Sequence, residues 1–189
     1  MPFTGTPNTR RYGNYFTLIF KTMDLQQALR ITERIKADLS PHCHRIEIAG
    51  SIRRKKPQVK DIELVCISKP YDVGLFESGI ATVVNKWKKV KGELPCKYTQ
   101  RILPEGIKLD LFFAEPGNWG LIYAMRTGSA EYSHKVLGVG WVKRGYHSKE
   151  GWLNKNGKDI ACPEEEDLYR IIGIPWVAPE GREYNAEAI

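Results

Sequence analysis

Asp61 and Glu63 stand two residues apart in the run Asp61-Ile-Glu-Leu-Val-Cys-Ile67, and Asp110 interrupts the apolar run Ile107-Lys-Leu-Asp-Leu-Phe-Phe113. Both runs have the composition of strands. Residues two apart on a strand share a face, so Asp61 and Glu63 point one way while Ile62, Leu64 and Cys66 point the other. An Asp between strand-forming apolar neighbours is disfavoured, and a carboxylate held near a core is costly unless something neutralises it. Taken singly, each acid reads as a strand-end residue in a surface ion pair. Taken together, the three would repel one another, and a pair of divalent cations would remove that repulsion. Hard oxygen ligands suit magnesium. Two such ions about 3.5–4 Å apart can clamp the attacking and leaving oxygens of an in-line displacement at phosphorus.

The segment before the first strand strengthens the pattern. Gly50-Ser51 ends a short alternating run through Ile46 and Ile48. Gly lets the backbone approach a phosphate closely, and exposed N–H groups with the Ser51 hydroxyl can hold a triphosphate. Arg53 and Arg54 follow at once, and a guanidinium fork matches phosphate oxygens. A lone Gly-Ser carries little. Gly-Ser, two Arg, and Asp-x-Glu beginning ten residues after Ser51, with a later Asp-bearing strand, is a much more specific combination.

Positioning these groups requires a sheet with helices to cover it. Asp24 with Gln27 reads as a capping pair for a helix whose Leu25, Ala28, Leu29, Ile35 and Leu39 share a face, ended by Pro41. Phe76, Ile80, Val83, Val84 and Trp87 predict a second helix over about 75–89. Tyr98 to Ile102 and Ile107 to Phe113 read as paired strands around a Pro104-Glu-Gly106 turn. After Pro116-Gly117 the character changes. Helical stretches are expected over 118–126 and 130–144, split by Thr127-Gly128-Ser129. A hairpin turning at Asn154 to Gly157 follows, then a final helix opened by Pro163 and closed by Gly173. The organisation expected is an N-terminal extension (1–22) carrying Arg10 and Arg11, an α/β lobe (23–116) and a smaller helix-plus-hairpin lobe (117–189).

The chain has 189 residues and a net charge of +7. Residues 1–60 hold twelve Lys or Arg against four Asp or Glu, and residues 160–189 hold two against seven. A basic bulk with an acidic end suggests a surface that meets a polyanion. No run approaches the roughly 18–20 apolar residues of a membrane helix, and Phe16 to Phe20 is too short for a signal sequence, so an intracellular protein with no membrane partner is expected. Four scattered cysteines suggest neither a disulfide framework nor a zinc site, and His42-Cys43-His44 cannot easily aim three adjacent side chains at one ion. Trp119, Trp141, Trp152 and Trp176 all fall in the second lobe, where packing is a better account than stacking on bases.

Gly50-Ser-Ile-Arg-Arg54 followed by Asp61-Ile-Glu63 resembles the palm signature of the DNA polymerase X (polymerase β-like) nucleotidyltransferase family. Ile107-Lys-Leu-Asp110 resembles its third-carboxylate strand, and Thr127-Gly128-Ser129 the turn that contacts the incoming nucleotide. Glu166 to Gly173, with Pro175 to Pro179 and Arg182-Glu183, resembles the closing segment of its thumb. The resemblance spans about residues 24–185. It implies an α+β fold, with a nucleotidyltransferase palm (a mixed sheet with helices on one face) followed by a small helix-plus-hairpin thumb. It also implies a monomer that adds nucleotides to a DNA primer 3′-hydroxyl with two Mg2+ ions, for which Mn2+ can substitute. Asp61, Glu63 and Asp110 would hold the metals. Gly50, Ser51, Arg53, Arg54, Thr127, Gly128 and Ser129 would bind the nucleoside triphosphate. Lys55, Lys56, Lys60, Lys108 and Lys135 would meet the primer-template or gapped DNA, and Lys108 could equally orient Asp110 or be a solvated strand lysine.

The departures are specific. The second acid is Glu where polymerase β has Asp. Met125-Arg126 stands where that protein has two aromatics flanking the nucleotide sugar, and Ser133 and Leu137 stand where the family often has Asn and Arg near the nascent pair. Far fewer residues precede the first strand than the family's N-terminal lyase and fingers regions need, so the pattern resembles reduced viral members built from palm and thumb, without lyase activity. Two other readings stay open: a related transferase acting on a template-independent 3′ end, an RNA, a small molecule or a protein, and, with less support, a catalytically idle DNA-binding accessory.

Overall fold

The computed structural model describes residues 22–184, so nearly all of the expected basic arm, including Arg10 and Arg11, lies outside the described residues. A two-residue strand, β1 (Met23–Asp24), leads into α1 (Leu25–Leu39). The Asp24 carboxylate caps this helix by accepting from the Gln27 N–H at 2.9 Å, which satisfies one of the otherwise orphan donors of the first turn. Ala28, Ile31, Thr32, Ile35 and Leu39 form its buried stripe. A 3-10 turn carrying Pro41 then delivers β2 (Cys43–Ile48), a short helical turn α2 (Gly50–Arg53), β3 (Gln58–Val59) and β4 (Asp61–Ser68).

Next come α3 (Ala81–Val84), β5 (Lys88–Lys91), β6 (Tyr98–Ile102) and β7 (Lys108–Phe113). The five-stranded sheet runs in the order β2-β4-β7-β6-β5, with β4 and β7 parallel and the other pairs antiparallel. Ile62, Leu64, Cys66, Leu109 and Leu111 turn one face toward α1 and α3. On the opposite face Val65 and Phe112 pack with Trp119, at the end of the sheet away from Asp61. The helix expected over 75–89 shrinks to four residues. Leu75 and Phe76 are 91% and 83% exposed, and Lys88 to Lys91 form the edge strand instead. Apolar residues at helical spacing had suggested a stripe, but only Ile80, Ala81 and Val84 are buried.

The rest of the chain is α4 (Trp119–Thr127), α5 (Ala130–Tyr132), a π-helical stretch Ser133–Gly138, α6 (Val139–Lys143), the antiparallel strands β8 (His147–Lys149), β9 (Trp152–Lys155) and β10 (Lys158–Ile160), and α7 (Glu165–Ile172). The expected hairpin therefore gains a third strand, β8. Pro163 lies ahead of α7 rather than at its first position. The helix is capped by Glu164, whose backbone N–H donates to Asp167 at 2.9 Å, and it ends at Gly173 with φ of +73°. Leu121, Tyr132, Leu137, Trp141, Leu153, Leu168 and Tyr169 make a second core. Trp119 and Trp141 are buried as packing residues, while Trp176 is 44% exposed. All four cysteines are free, and no helix among the described residues is long and apolar enough to cross a membrane.

Candidate active site

In the parallel register Asp61 pairs with Lys108 and Glu63 with Asp110. The alternation of strand side chains then puts all four on one face. Asp61 and Glu63 are half-buried, and Asp110 is 9% exposed. Burial, then the neighbouring Asp61 and Asp110, push the Glu63 carboxyl up to about 7. Burial and Asp110 raise Asp61 as well, against the pull of Lys108, whose Nζ lies 4.0 Å from Asp61 Oδ2. Carboxylates this crowded are under-compensated. Among the described residues no three His, Cys, Asp or Glu side chains already converge as a metal-ligating group. The Asp110 carboxylate is instead turned onto its strand neighbours, its Oδ1 accepting from the Tyr98 hydroxyl at 2.8 Å and from Gln100 Nε2 at 2.7 Å.

The α2 turn faces this cluster. The Ala49 N–H donates to the Glu63 carbonyl at 2.9 Å, which sets the start of α2 directly against β4. Gly50 sits there with φ of +61°, and a Cβ on it would come within 1.8 Å of Glu63 Oε2, so no other residue fits without moving the acid. Ser51 Oγ is buried with no hydrogen-bond partner among the described residues. Arg54 donates from Nη1 to the Thr127 carbonyl and from Nε to Glu183, both at 2.7 Å. Ser51, Arg54, Lys56, Lys60, Asp61 and Glu63 share a cleft of about 590 Å³ with Pro57 and Gln58. An orphaned buried hydroxyl beside crowded carboxylates and a guanidinium is a donor set that fits hard divalent cations and phosphate.

Residues 123–183 match the family described as DNA polymerase beta thumb. The fold is similar to that of polymerase beta. Leishmania infantum polymerase beta in a ternary P/T complex superimposes with a TM-score of 0.66 at 16% identity, over 90% of this chain and 80% of that one. Its ternary gap complex gives a TM-score of 0.66 at 16% identity, over 89% and 72%. No curated protein sequence matches the chain.

The fold separates the two arginines that follow Ser51. Neighbouring residues in a helical turn point roughly 100° apart. Arg54 reaches the cleft, whereas Arg53 turns to the thumb, donating to both Glu165 carboxylate oxygens at 2.7 Å and to Thr127 Oγ1 at 2.6 Å, over the Tyr123 ring. Arg53, expected at the triphosphate, is therefore placed in a joint between α2 and α7, where Glu165 and Arg182 complete an ion-pair cluster. Thr127 is fully buried in the same joint. Ser129 caps α5 by accepting from the Tyr132 N–H at 3.1 Å, and Gly128 packs against Tyr132 and Ser133. Of the lysines expected at DNA, Lys60 and Lys56 line the cleft. Lys56 pairs with Glu183 at 2.9 Å and Lys55 with Glu180 at 2.6 Å. Lys135 pairs with Glu131 at 3.6 Å and lies over the Tyr184 ring. Arg126 is exposed and stacks on Phe112 with its guanidinium 4.2 Å from the ring centroid.

Sequence reasoning missed Tyr98 and Gln100. Their signal is the Tyr-x-Gln alternation on β6, which puts both side chains on the face that Asp110 shares once β6 and β7 pair around the Pro104 turn.

Proposed function

We propose that this protein is a DNA-directed DNA polymerase of the family X type, which extends a primer 3′-hydroxyl by one nucleotide at a time to fill short gaps. One observation carries the reading: the register of Glu63 against Asp110, which gathers three carboxylates on the sheet face opposite Gly50 and Ser51. The similarity to polymerase beta in P/T and gap complexes supports DNA as the substrate. Residues 23–116 act as the palm, and 117–189 as the thumb.

Asp61 and Glu63 would hold two magnesium ions and Asp110 one of them. When bound, the ions supply the clamp on attacking and leaving oxygens that an in-line displacement at phosphorus needs. Asp110 helps to draw the proton from the primer 3′-hydroxyl. Ser51 Oγ and Arg54 orient the two departing phosphates, with Gly50 letting the backbone come close to them. Arg54 must exchange Glu183 for phosphate to do this, and the half-exposed Glu183 makes that exchange cheap. Lys56 and Lys60 extend the positive rim toward the DNA backbone. Lys55, Lys108 and Lys135 contribute charge along the same path, and their solvent-accessible ion pairs are weak enough to be replaced. Nucleotide addition releases pyrophosphate and leaves a chain longer by one residue.

Arg126 favours a second reading, a transferase of the same lineage with another acceptor, because an open guanidinium stands where an aromatic sugar platform would otherwise be expected. One assay separates the two: gapped, nicked, recessed and single-stranded primers offered each dNTP or rNTP with Mg2+ or Mn2+. Template-matched addition on gapped or recessed DNA is the expected result. Untemplated addition, or addition only to RNA, would establish the second reading, and no metal-dependent addition would leave a DNA-binding accessory.

A further inference from the structure

The geometry points to Tyr98 and Gln100 as positioning residues that hold the third carboxylate ready for its ion before that ion arrives. The inference rests on the reading of Asp110 as a metal ligand. Both donors go to the same oxygen, Oδ1, at 2.8 and 2.7 Å, so the two strand neighbours leave Oδ2 to other partners. Neither donor is an accident of a loose surface. Gln100 is the direct cross-strand partner of Asp110, and Tyr98 is that of Phe112. The Tyr98 ring lies on Phe112, with centroids 4.8 Å apart and planes 20° from parallel, so its hydroxyl is aimed by a rigid stack. Both donors stand on β6, across β7 from the strand that carries Asp61 and Glu63. Two hydrogen bonds from that side anchor Oδ1 and fix the rotation of the Asp110 carboxylate among three acids that share one face.

Partners that orient a metal-binding carboxylate change metal affinity or turnover by about 10–100-fold when removed. The effect here should be selective. Asp110 is assigned to one of the two ions, so losing Tyr98 or Gln100 should weaken that ion and leave the other, and should spare the phosphate pocket at Ser51 and Arg54.

The test uses the full chain with Tyr98→Phe, which keeps the ring stack, and Gln100→Met, which keeps the length without the donor. Mn2+ is titrated by electron paramagnetic resonance in the presence of a non-hydrolysable dNTP, and single-nucleotide addition is followed in parallel. We expect one class of Mn2+ site to weaken about tenfold and kcat to fall about 10–100-fold, with nucleotide KM and melting temperature unchanged. Wild-type Mn2+ affinity and kcat in both variants would overturn the inference, as would equal weakening of both classes together with a lower melting temperature. Asp110→Asn is the control. If it loses one Mn2+ class and all addition while Tyr98→Phe and Gln100→Met behave as wild type, the inference alone fails. If Asp110→Asn itself keeps both classes and full addition, the assignment of Asp110 fails and takes the inference with it.

Discussion

Glu63 and Glu165 are both glutamates withdrawn from water, and they meet opposite surroundings. Glu63 shares its face with Asp61 and Asp110, and its carboxyl is pushed up to about 7 by burial and by those two neighbours. Glu165 is 5% exposed. Burial alone would raise its carboxyl too, but hydrogen bonds from Arg53 and Arg182 hold it below the ordinary carboxylate range. Arg182 has no exposed surface and reaches Glu165 Oε1 at 2.5 Å, while Arg53 grips both oxygens. One carboxylate is over-supplied with cations and the other under-supplied. A compensated buried charge ties elements together, whereas an uncompensated one marks a place where something else is meant to bind. The joint therefore holds the thumb against α2, and α2 in turn presents Ser51 and Arg54 to the acids.

The contrast can be broken from either side. The largest effect is expected at Glu63. Glu63→Gln should lower metal-dependent nucleotide addition by on the order of a thousandfold, since losing a metal ligand removes several kcal/mol of transition-state stabilisation. The same change should raise the melting temperature in metal-free buffer by about 2–4 °C, the shift that ~1 kcal/mol produces in a chain of this size. A variant that is active, or less stable, would show that Glu63 belongs with the structural carboxylates. Glu165→Ala should do the reverse, destabilising by about 3–5 kcal/mol because two guanidinium groups lose their buried partner. Chemical denaturation reads this directly.

A smaller effect follows from the depressed Glu165 carboxyl. Its folded value lies below the ordinary 4.5, so its contribution is complete above about that pH and disappears as pH falls through the folded value. Wild-type stability should decline with acid in that window, and Glu165→Gln should flatten the decline; an unchanged slope would exclude Glu165 as its source. The smallest expected effect is at the cleft rim. Lys60→Ala should weaken DNA binding and reduce the slope of log affinity against log salt by about 0.9, the value for one lost phosphate contact. An unchanged slope would remove Lys60 from the DNA path.

The acids were legible in the sequence because their placement depends only on strand alternation and on two strands being neighbours. Asp61, Glu63 and Asp110 needed no finer geometry to fall on one face. Gly50 was singled out in the sequence for close approach to a phosphate, and the structure adds that its missing Cβ also makes room for Glu63. The place of Arg53 was not legible, because its destination is Glu165, which lies 112 residues away, and local spacing cannot tell a phosphate ligand from half of a distant ion pair. Tyr98 and Gln100 were hidden in the same way, since both hydrogen bonds depend on the exact pairing of β6 with β7. Phe76 misled in the other direction. Its spacing matched a helical stripe, yet no described residue buries it.

The central claim is most directly tested by a crystal structure of the protein with gapped DNA, a non-hydrolysable dNTP and Mg2+. The account predicts two ions between the sheet face and the triphosphate, both touched by Asp61 and Glu63 and one by Asp110 Oδ2. A triphosphate seated on Ser51 and Arg54 with no ion at the acids, or an Asp110 that touches neither ion, would contradict it.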